Sequence, residues 1–300
     1  MIRSVFQAHL FIFLATCFTS MNYSIAKIVM PSEIKPYSIV LTRILISVAF
    51  FFLLDFLLNP KAKYNVPLKD MLRLAFCGTV GVAVNQLTLY KGLSITTPIN
   101  AALIVATIPV FVLILSALFL RSVPTWKQSL GVMISASGAY YLIMYTGGGL
   151  EIKNLTGDLL ILLNCISYAI YMVIVKPLLE KYPPLFLTKW MFAVAAVVVL
   201  PFTYQDALQT DWMNISAAGW QSYLYIILFA TLFNYYFTTA SLQWLSPVTA
   251  GTYGYLQPFL ATLFAVALGV DIISPEKIIA GVAIFVGILL TSRLFNKTAV

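Results

Sequence analysis

The chain has 300 residues, of which 61% are hydrophobic and only 9% charged, and its mean hydropathy is +0.94. A soluble domain carries about a quarter of its residues charged, so this chain lacks the polar surface to dissolve in water and needs lipid as its solvent. Its net charge of +8 sits in links beside apolar runs, where it sets orientation and meets anionic headgroups; that placement argues against nucleic acid as a partner.

An apolar run of about 20 residues crosses a bilayer, and the chain predicts ten: 4–28, 36–58, 70–91, 97–120, 124–145, 157–178, 184–204, 217–241, 247–270 and 275–295. Turn chemistry separates them at Asn59-Pro60, Ser122-Val123-Pro124, Gly147-Gly148-Gly149, Pro183-Pro184, Ser246-Pro247 and Ser274-Pro275. The first run is too long, and too polar between Thr16 and Ser24, for a cleavable signal. It holds the single histidine, His9, near one end and closes on Lys27. The second opens at Pro36 and carries Arg43 about 10 Å in from its end. The fourth and ninth carry mid-run prolines, Pro109 and Pro258. Each is expected to kink its helix by freeing the carbonyl four residues earlier, at Val105 and Gly254. The matched pair is either a packing kink or a gating hinge. The fifth and tenth carry Gly131, Ser135, Gly138 and Ala280, Ala283, Gly287 at helical spacing, which suits a closely packed static brace. The link from Tyr204 to Ala218 is polar and is expected to lie on the membrane surface.

A shift of 149 lays the first half on the second: Lys27 falls on Lys176, Asn85 on Asn234, Leu93 on Leu242, Pro98 on Pro247 and Pro109 on Pro258. The chain therefore reads as an all-α polytopic membrane protein of ten transmembrane helices, with residues 1–149 and 150–300 as two five-helix repeats. Five is odd, so the second copy enters the bilayer upside down relative to the first, as in many secondary transporters. With the N-terminus inside, twelve Lys and Arg residues fall on the inner side and five on the outer, Arg43 lying within its run. Both termini are expected in the cytoplasm.

A polar side chain in hydrocarbon needs a partner or a wet cavity. Runs one, three, six, eight and nine carry most of them. The candidate substrate-binding residues are Asn85, Gln86 and Tyr90 on the third run, Asn100 on the fourth, Asn164 and Tyr168 on the sixth, Asn234 and Tyr235 on the eighth, and Tyr253 and Gln257 on the ninth. The amides either bond between helices or line a tyrosine-flanked central cavity. Arg43 either snorkels or bonds free carbonyls, or it grips a substrate carboxylate or phosphate.

No carboxylate falls at the middle of a run, since Asp55 and Asp158 lie near run ends, so no proton or Na⁺ relay is legible. Cys17, Cys77 and Cys165 lie inside apolar runs without metal spacing. No metal or cofactor is expected, and the absence of a phosphate loop disfavours ATP drive. One histidine and no nucleophile with its base argue against an intramembrane enzyme.

Lys27 closing run one, Pro36 and Arg43, and Gly92-Leu93-Ser94-Ile95-Thr96-Thr97-Pro98 with Ala101 and Pro109 form one pattern. Ala240-Ser241-Leu242, Ser246-Pro247, Ala250 and Pro258 double it, and Gly131 and Gly138 mark the fifth run. On these residues the chain resembles the ten-span members of the drug/metabolite transporter superfamily built from two EamA repeats. The resemblance implies an alternating-access carrier of small metabolites in the cell inner membrane, with helices 1, 3, 4, 6, 8 and 9 around a central cavity. Thr19-Ser20 stands where such first spans commonly have Trp-Gly, and Gly92 where alanine is frequent, so the substrate does not transfer from a relative. The expected function is transport, in the export direction, of a small neutral or zwitterionic, amino-acid-like solute. The alternative is a non-transporting membrane partner or a lipid-carrier flippase-type subunit. The expected state is a monomer, a dimer through the fifth and tenth helices being the other arrangement.

Overall fold

In lipid every backbone donor and acceptor must be satisfied without water, and a helix does this within one segment. The computed structural model of the chain is built that way. It describes residues 4–30, 32–61, 64–96, 101, 104–120, 124–145, 155–267 and 274–291, and no strand occurs among them. Asn100, Pro98 and the Gly147-Gly148-Gly149 junction lie outside the described residues, as does the side chain of Lys27.

The helices are α1 (Val5–Val29), α2 (Pro36–Leu58), α3 (Leu68–Ile95), α4 (Ile108–Phe119), α5 (Trp126–Tyr145), α6 (Leu155–Leu179), α7 (Pro184–Gln209), α8 (Ala217–Ser241), α9 and α10 (Pro275–Thr291). α9 runs from Pro247–Thr252 through a tight turn at Tyr253–Tyr255 into Leu256–Ala267. By length and composition, α1, α2, α3, α6, α7 and α8 are able to cross a membrane. Helix starts follow local chemistry. Ser4, Ser216 and Ser246 accept from the backbone N–H of Gln7, Gly219 and Thr249, and prolines open α2, α7, α9 and α10. The link expected to begin at Tyr204 is shorter than its polarity implied. α7 continues to Gln209, because Lys35 bonds Gln209 at 2.5 Å and Ser38 bonds Thr210 at 2.7 Å, holding that end against α2.

The packing partners repeat when each helix is exchanged for the one five elements on. α3 packs on α6 and α1 on α8; α4 packs on α6 and α9 on α1; α2 pairs with α7, α5 with α10 and α4 with α9. Leu53, Phe56, Leu57, Leu118, Val197 and Phe202 are exposed on the outside of this bundle, an apolar surface suited to acyl chains.

Without a hydrophobic force between helices in lipid, close approach decides which pairs hold. α5 and α10 touch backbone to backbone. A Cβ on Gly131 would lie 2.5 Å from the Gly287 carbonyl oxygen, and one on Gly138 would lie 2.9 Å from that of Ala280. Ser135 Oγ donates to the Ile284 carbonyl at 3.1 Å. α2 and α7 are tied at both ends: Lys189 pairs with Asp55 at one, and Lys35 lies 3.9 Å from Asp206 at the other.

α3 and α8 depart from regular geometry at one matched place. Each widens through a single π-helical turn, Thr79–Val84 in α3 and Leu228–Phe233 in α8, the spacing that superposes the halves. The backbone N–H of Asn85 reaches back five residues to Val80, and that of Asn234 to Phe229. Such turns often mark functional positions, since they loosen the carbonyl ladder.

Gly131→Val is expected to lower the stability of the purified protein in detergent by about 1–3 kcal/mol, the usual cost of overpacking. Val282→Ala, on the exposed face of α10, is expected to leave the melting temperature in place. Equal effects in thermal unfolding would remove the α5–α10 contact as a brace.

Candidate functional site

Many polar groups inside the bundle are satisfied locally. Thr16, Ser20, Ser47, Thr203, Thr239 and Thr252 each donate to the carbonyl four residues earlier in their own helix. A hydroxyl bonded in this way carries no functional message. The amides are different, because they need partners from another helix.

Asn85 and Asn164 clamp α3 to α6. Asn164 Nδ2 donates to the Asn85 carbonyl at 2.9 Å, and Asn85 Nδ2 donates to the Asn164 carbonyl at 3.2 Å. Glycines allow this approach: a Cβ on Gly81 would meet Tyr171 Cβ at 2.5 Å, and one on Gly92 would meet the Gly157 carbonyl at 3.1 Å. The counterpart seam between α1 and α8 is built from rings. Phe18 packs against Phe229, Phe233 and Phe237, with centroids 5.2–6.4 Å apart, and Phe11 stacks on Phe237 at 4.4 Å. Position 15, the counterpart of Asn164, is alanine. Asn234 therefore has no reciprocal amide. Among the described residues its side chain makes one hydrogen bond, accepted by Oδ1 from Thr238 Oγ1 at 3.5 Å, and it is only half-buried.

Between these seams lies a cavity of about 80 Å³. At about 10–15 Å³ per water it has room for roughly half a dozen waters or a small solute. Asn85, Gln86, Asn164, Tyr168, Asn234, Tyr235, Gln257 and Arg43, all expected from the sequence, line it. α1 adds Ile12, Ala15, Thr16, Thr19, Asn22 and Tyr23, while α3 and α4 add Leu89 and Ile108 and α9 adds Ala250, Gly251 and Gly254. Polarity flagged the threonines, Asn22 and Tyr23; the small and aliphatic residues carry no sequence signal and reach the wall only through helix packing.

Tyr90 and Tyr253 are not on the wall. Tyr90 is fully buried, its ring centroid 4.8 Å from the Arg43 guanidinium and its hydroxyl donating to Asn22 Oδ1 at 3.3 Å. Tyr253 bonds His9 Nδ1 at 2.8 Å, tying α9 to α1 below the cavity-lining residue Ile12. Asn100 lies outside the described residues.

Gln86 and Tyr235 occupy equivalent positions of the two halves and touch each other, Gln86 Nε2 donating to the Tyr235 hydroxyl. Tyr235 in turn lies 3.2 Å from Asn85 Oδ1 and 3.4 Å from the Gly81 carbonyl in the π-helical turn of α3. Arg43 serves the other π-helical turn: Nε donates to Thr231 Oγ1 at 2.7 Å and Nη2 to the Ala230 carbonyl at 2.9 Å. Each loosened turn is thus partnered from across the bundle.

The helices are irregular where the prolines were expected to disturb them, next to Val105 and at Gly254. α4 begins at Ile108 after a break at Ala106 and Thr107, where Thr107 Oγ1 donates to the Ile104 carbonyl at 2.6 Å. α9 tightens at Tyr253–Tyr255, just ahead of Pro258. Proline cannot donate and crowds the preceding turn; the tight turn recovers bonds that a regular helix would lose there.

Two stretches, 6–144 and 155–293, match the EamA-like transporter family. Among curated relatives, the "Uncharacterized transporter YyaM" of Bacillus subtilis (strain 168) is 24% identical, over 76% of this chain and 75% of its own. The "Uncharacterized inner membrane transporter YedA" of Escherichia coli (strain K12) is 29% identical, over 75% of this chain and 72% of its own. A "Probable terminal-alkyne amino-acid exporter" of Streptantibioticus cattleyicolor is 25% identical, over 75% and 74%. One crystal structure superposes with a TM-score of 0.78, covering 98% of this chain and 100% of the other at 16% identity, a likeness of fold.

Asn85→Ala and Asn164→Ala are each expected to destabilise the protein by about 1–2 kcal/mol, the worth of an interhelical hydrogen bond in a membrane. Asn234→Ala is expected to leave the melting temperature unchanged. Three equal shifts in thermal unfolding would contradict the division between clamp and cavity residue.

Proposed function

The chain belongs to the EamA-like transporter family of the drug/metabolite transporter superfamily, and on that premise we propose that it exports a small neutral or zwitterionic, amino-acid-like metabolite by alternating access. It is a multi-pass membrane transporter rather than an enzyme. The observation that carries the finer reading is the cavity itself: amides, hydroxyls and one guanidinium around a space of about 80 Å³. Such a wall offers hydrogen bonds to a small polar solute, and its apolar residues keep the volume closed to bulky ones. The name of the S. cattleyicolor relative supports an amino-acid-like cargo and an outward direction.

In this reading the chain has ten spans in two inverted five-helix repeats, 1–149 and 150–300. The doubled family match and the repeating packing partners support that arrangement. α5–α10 and α2–α7 are the parts that stay together, being joined by backbone contact or tied at both ends. The breaks ahead of Pro109 and Pro258 are the hinges, and the ring-packed α1–α8 seam is the one that parts. The transporter sits in the cell inner membrane, as the name of the E. coli relative supports, with both termini in the cytoplasm. It works as a monomer, since the small residues of α5 and α10 are already spent on each other.

The purified chain alone in liposomes is expected to exchange internal for external amino acid, and Asn234→Ala to cut that flux at least tenfold without a change in melting temperature. Absence of counterflow for every small metabolite tried would overturn the reading, as would full flux in Asn234→Ala for the site. Reporter fusions check the orientation: a C-terminal fusion active only in the cytoplasm is expected, and one active only outside would reverse it.

A further inference from the structure

Arg43 is 1% exposed, well inside α2, and it forms no ion pair among the described residues. Asp55, the carboxylate of its own helix, is taken by Lys189. A buried charge without a counter-charge is costly, and two hydrogen bonds and a tyrosine face return only part of that cost. The guanidinium is also held in one pose. Nε and Nη2 are fixed on the π-helical turn of α8, and the Tyr90 ring lies 4.8 Å from Cζ. Nη1 is buried without a hydrogen bond among the described residues, on a residue that lines the cavity.

Two acceptors share that wall. Gln86 Nε2 donates to Tyr235 and to Asn85 Oδ1, which fixes the amide so that Oε1 is the atom left over. Gln86 Oε1 and Gln257 Oε1 are both buried without a hydrogen bond. The residues of the wall thus carry one unsatisfied cationic donor and two unsatisfied neutral acceptors, each buried at the edge of the cavity's lining. A carboxylate suits the donor, since a planar guanidinium fork pairs with it well. The phosphoryl group of a phosphate-monoester dianion carries acceptors alone and would face the two glutamine oxygens with lone pairs. A solute bearing both a carboxylate and an ammonium or hydroxyl group satisfies all three.

We propose that Arg43 is the carboxylate-binding residue of the cavity, and that the cargo is an amino-acid-sized carboxylic acid whose ammonium or hydroxyl group bonds Gln86 and Gln257. This rests on the transporter reading and narrows it: an uncharged solute would leave the guanidinium unpaired. Arg43 then has two duties. One edge holds the α8 turn in shape, and the other meets the cargo, so cargo binding is linked directly to the helix that carries Asn234.

Matched pairs of L-amino acids and their carboxamides, applied to the purified full chain, test the assignment. Thermal shift and competition for counterflow in liposomes read it out. In the wild type, at least one acid is expected to bind about ten- to hundredfold more tightly than its amide, the range for a hydrogen-bonded ionic contact. Arg43→Gln is expected to collapse that ratio to about one, whatever the loss of its bonds to the α8 turn does to overall affinity; Arg43→Lys is expected to keep part of it. A wild-type acid-to-amide ratio preserved in Arg43→Gln, with both affinities lowered alike, would show a purely structural residue and overturn the proposal. The wild-type comparison stands whether or not the variants fold, and amides that bind as well as acids would overturn it too. Flux of uncharged metabolites without any response to amino acids would overturn the carboxylate assignment and leave the transporter reading intact. No flux of any solute would strike the transporter reading itself.

Discussion

Hydrocarbon offers no water to a polar group that loses its partner, and this constraint governs both how the bundle holds together and where it stays open. Most hydroxyls meet it inside their own helix. Asn85 and Asn164 meet it reciprocally across two helices, which fixes the α3–α6 seam. Among the described residues, Arg43 Nη1, Gln86 Oε1 and Gln257 Oε1 are buried without a hydrogen bond and belong to residues that line one cavity, as does the weakly bonded Asn234 amide; His9 Nε2 and the Tyr255 hydroxyl, equally unpaired, belong to residues away from it. Groups left unpaired in hydrocarbon are costly, and a cavity that admits a solute or water offers partners to those beside it.

One interhelical hydrogen bond recurs in the two halves with its residues exchanged, and the places where the halves differ locate the specialised positions. Tyr90 reaches Asn22 from α3 to α1, and Tyr171 pairs with Thr239 at 2.6 Å from α6 to α8. These are equivalent pairs with the tyrosine moved from one partner to the other. Asn164 has Ala15 as its counterpart, which frees Asn234. Arg43 has Phe192, whose ring packs edge-on against Tyr235 with centroids 4.9 Å apart. One half supplies the charge and the other an aromatic face, so a pocket near the meeting point of two similar copies is itself unsymmetric. An unsymmetric solute can be oriented there.

The helices were legible because lipid leaves one simple rule: apolar runs of spanning length broken by proline, glycine and capping serine. Pro36 to Leu58 and Ala217 to Ser241 start and stop where composition placed them. α7 overran its expected end because Lys35 and Ser38, far away in sequence, hold Gln209 and Thr210. The π-helical turns left no trace, since Thr79–Val84 and Leu228–Phe233 contain no breaker common to both; they are stabilised by Arg43 and Tyr235 from other helices. Residue type found most of the cavity wall. It placed Tyr90 and Tyr253 there as well, because a tyrosine that partners Asn22 or His9 cannot be told by type from one that faces a solute. It missed Ile12, Ala15 and Gly251, which matter by position alone.

The central claim is that the pocket around Asn234 is wet and opens to each side of the membrane in turn. A cysteine at that position, Asn234→Cys, with Cys17, Cys77 and Cys165 replaced by serine, reports it through membrane-impermeant thiol reagents applied separately to each face. The account predicts labelling from both faces, slowed by bound solute. Labelling from neither face, or from the same single face whatever solute is present, would contradict it.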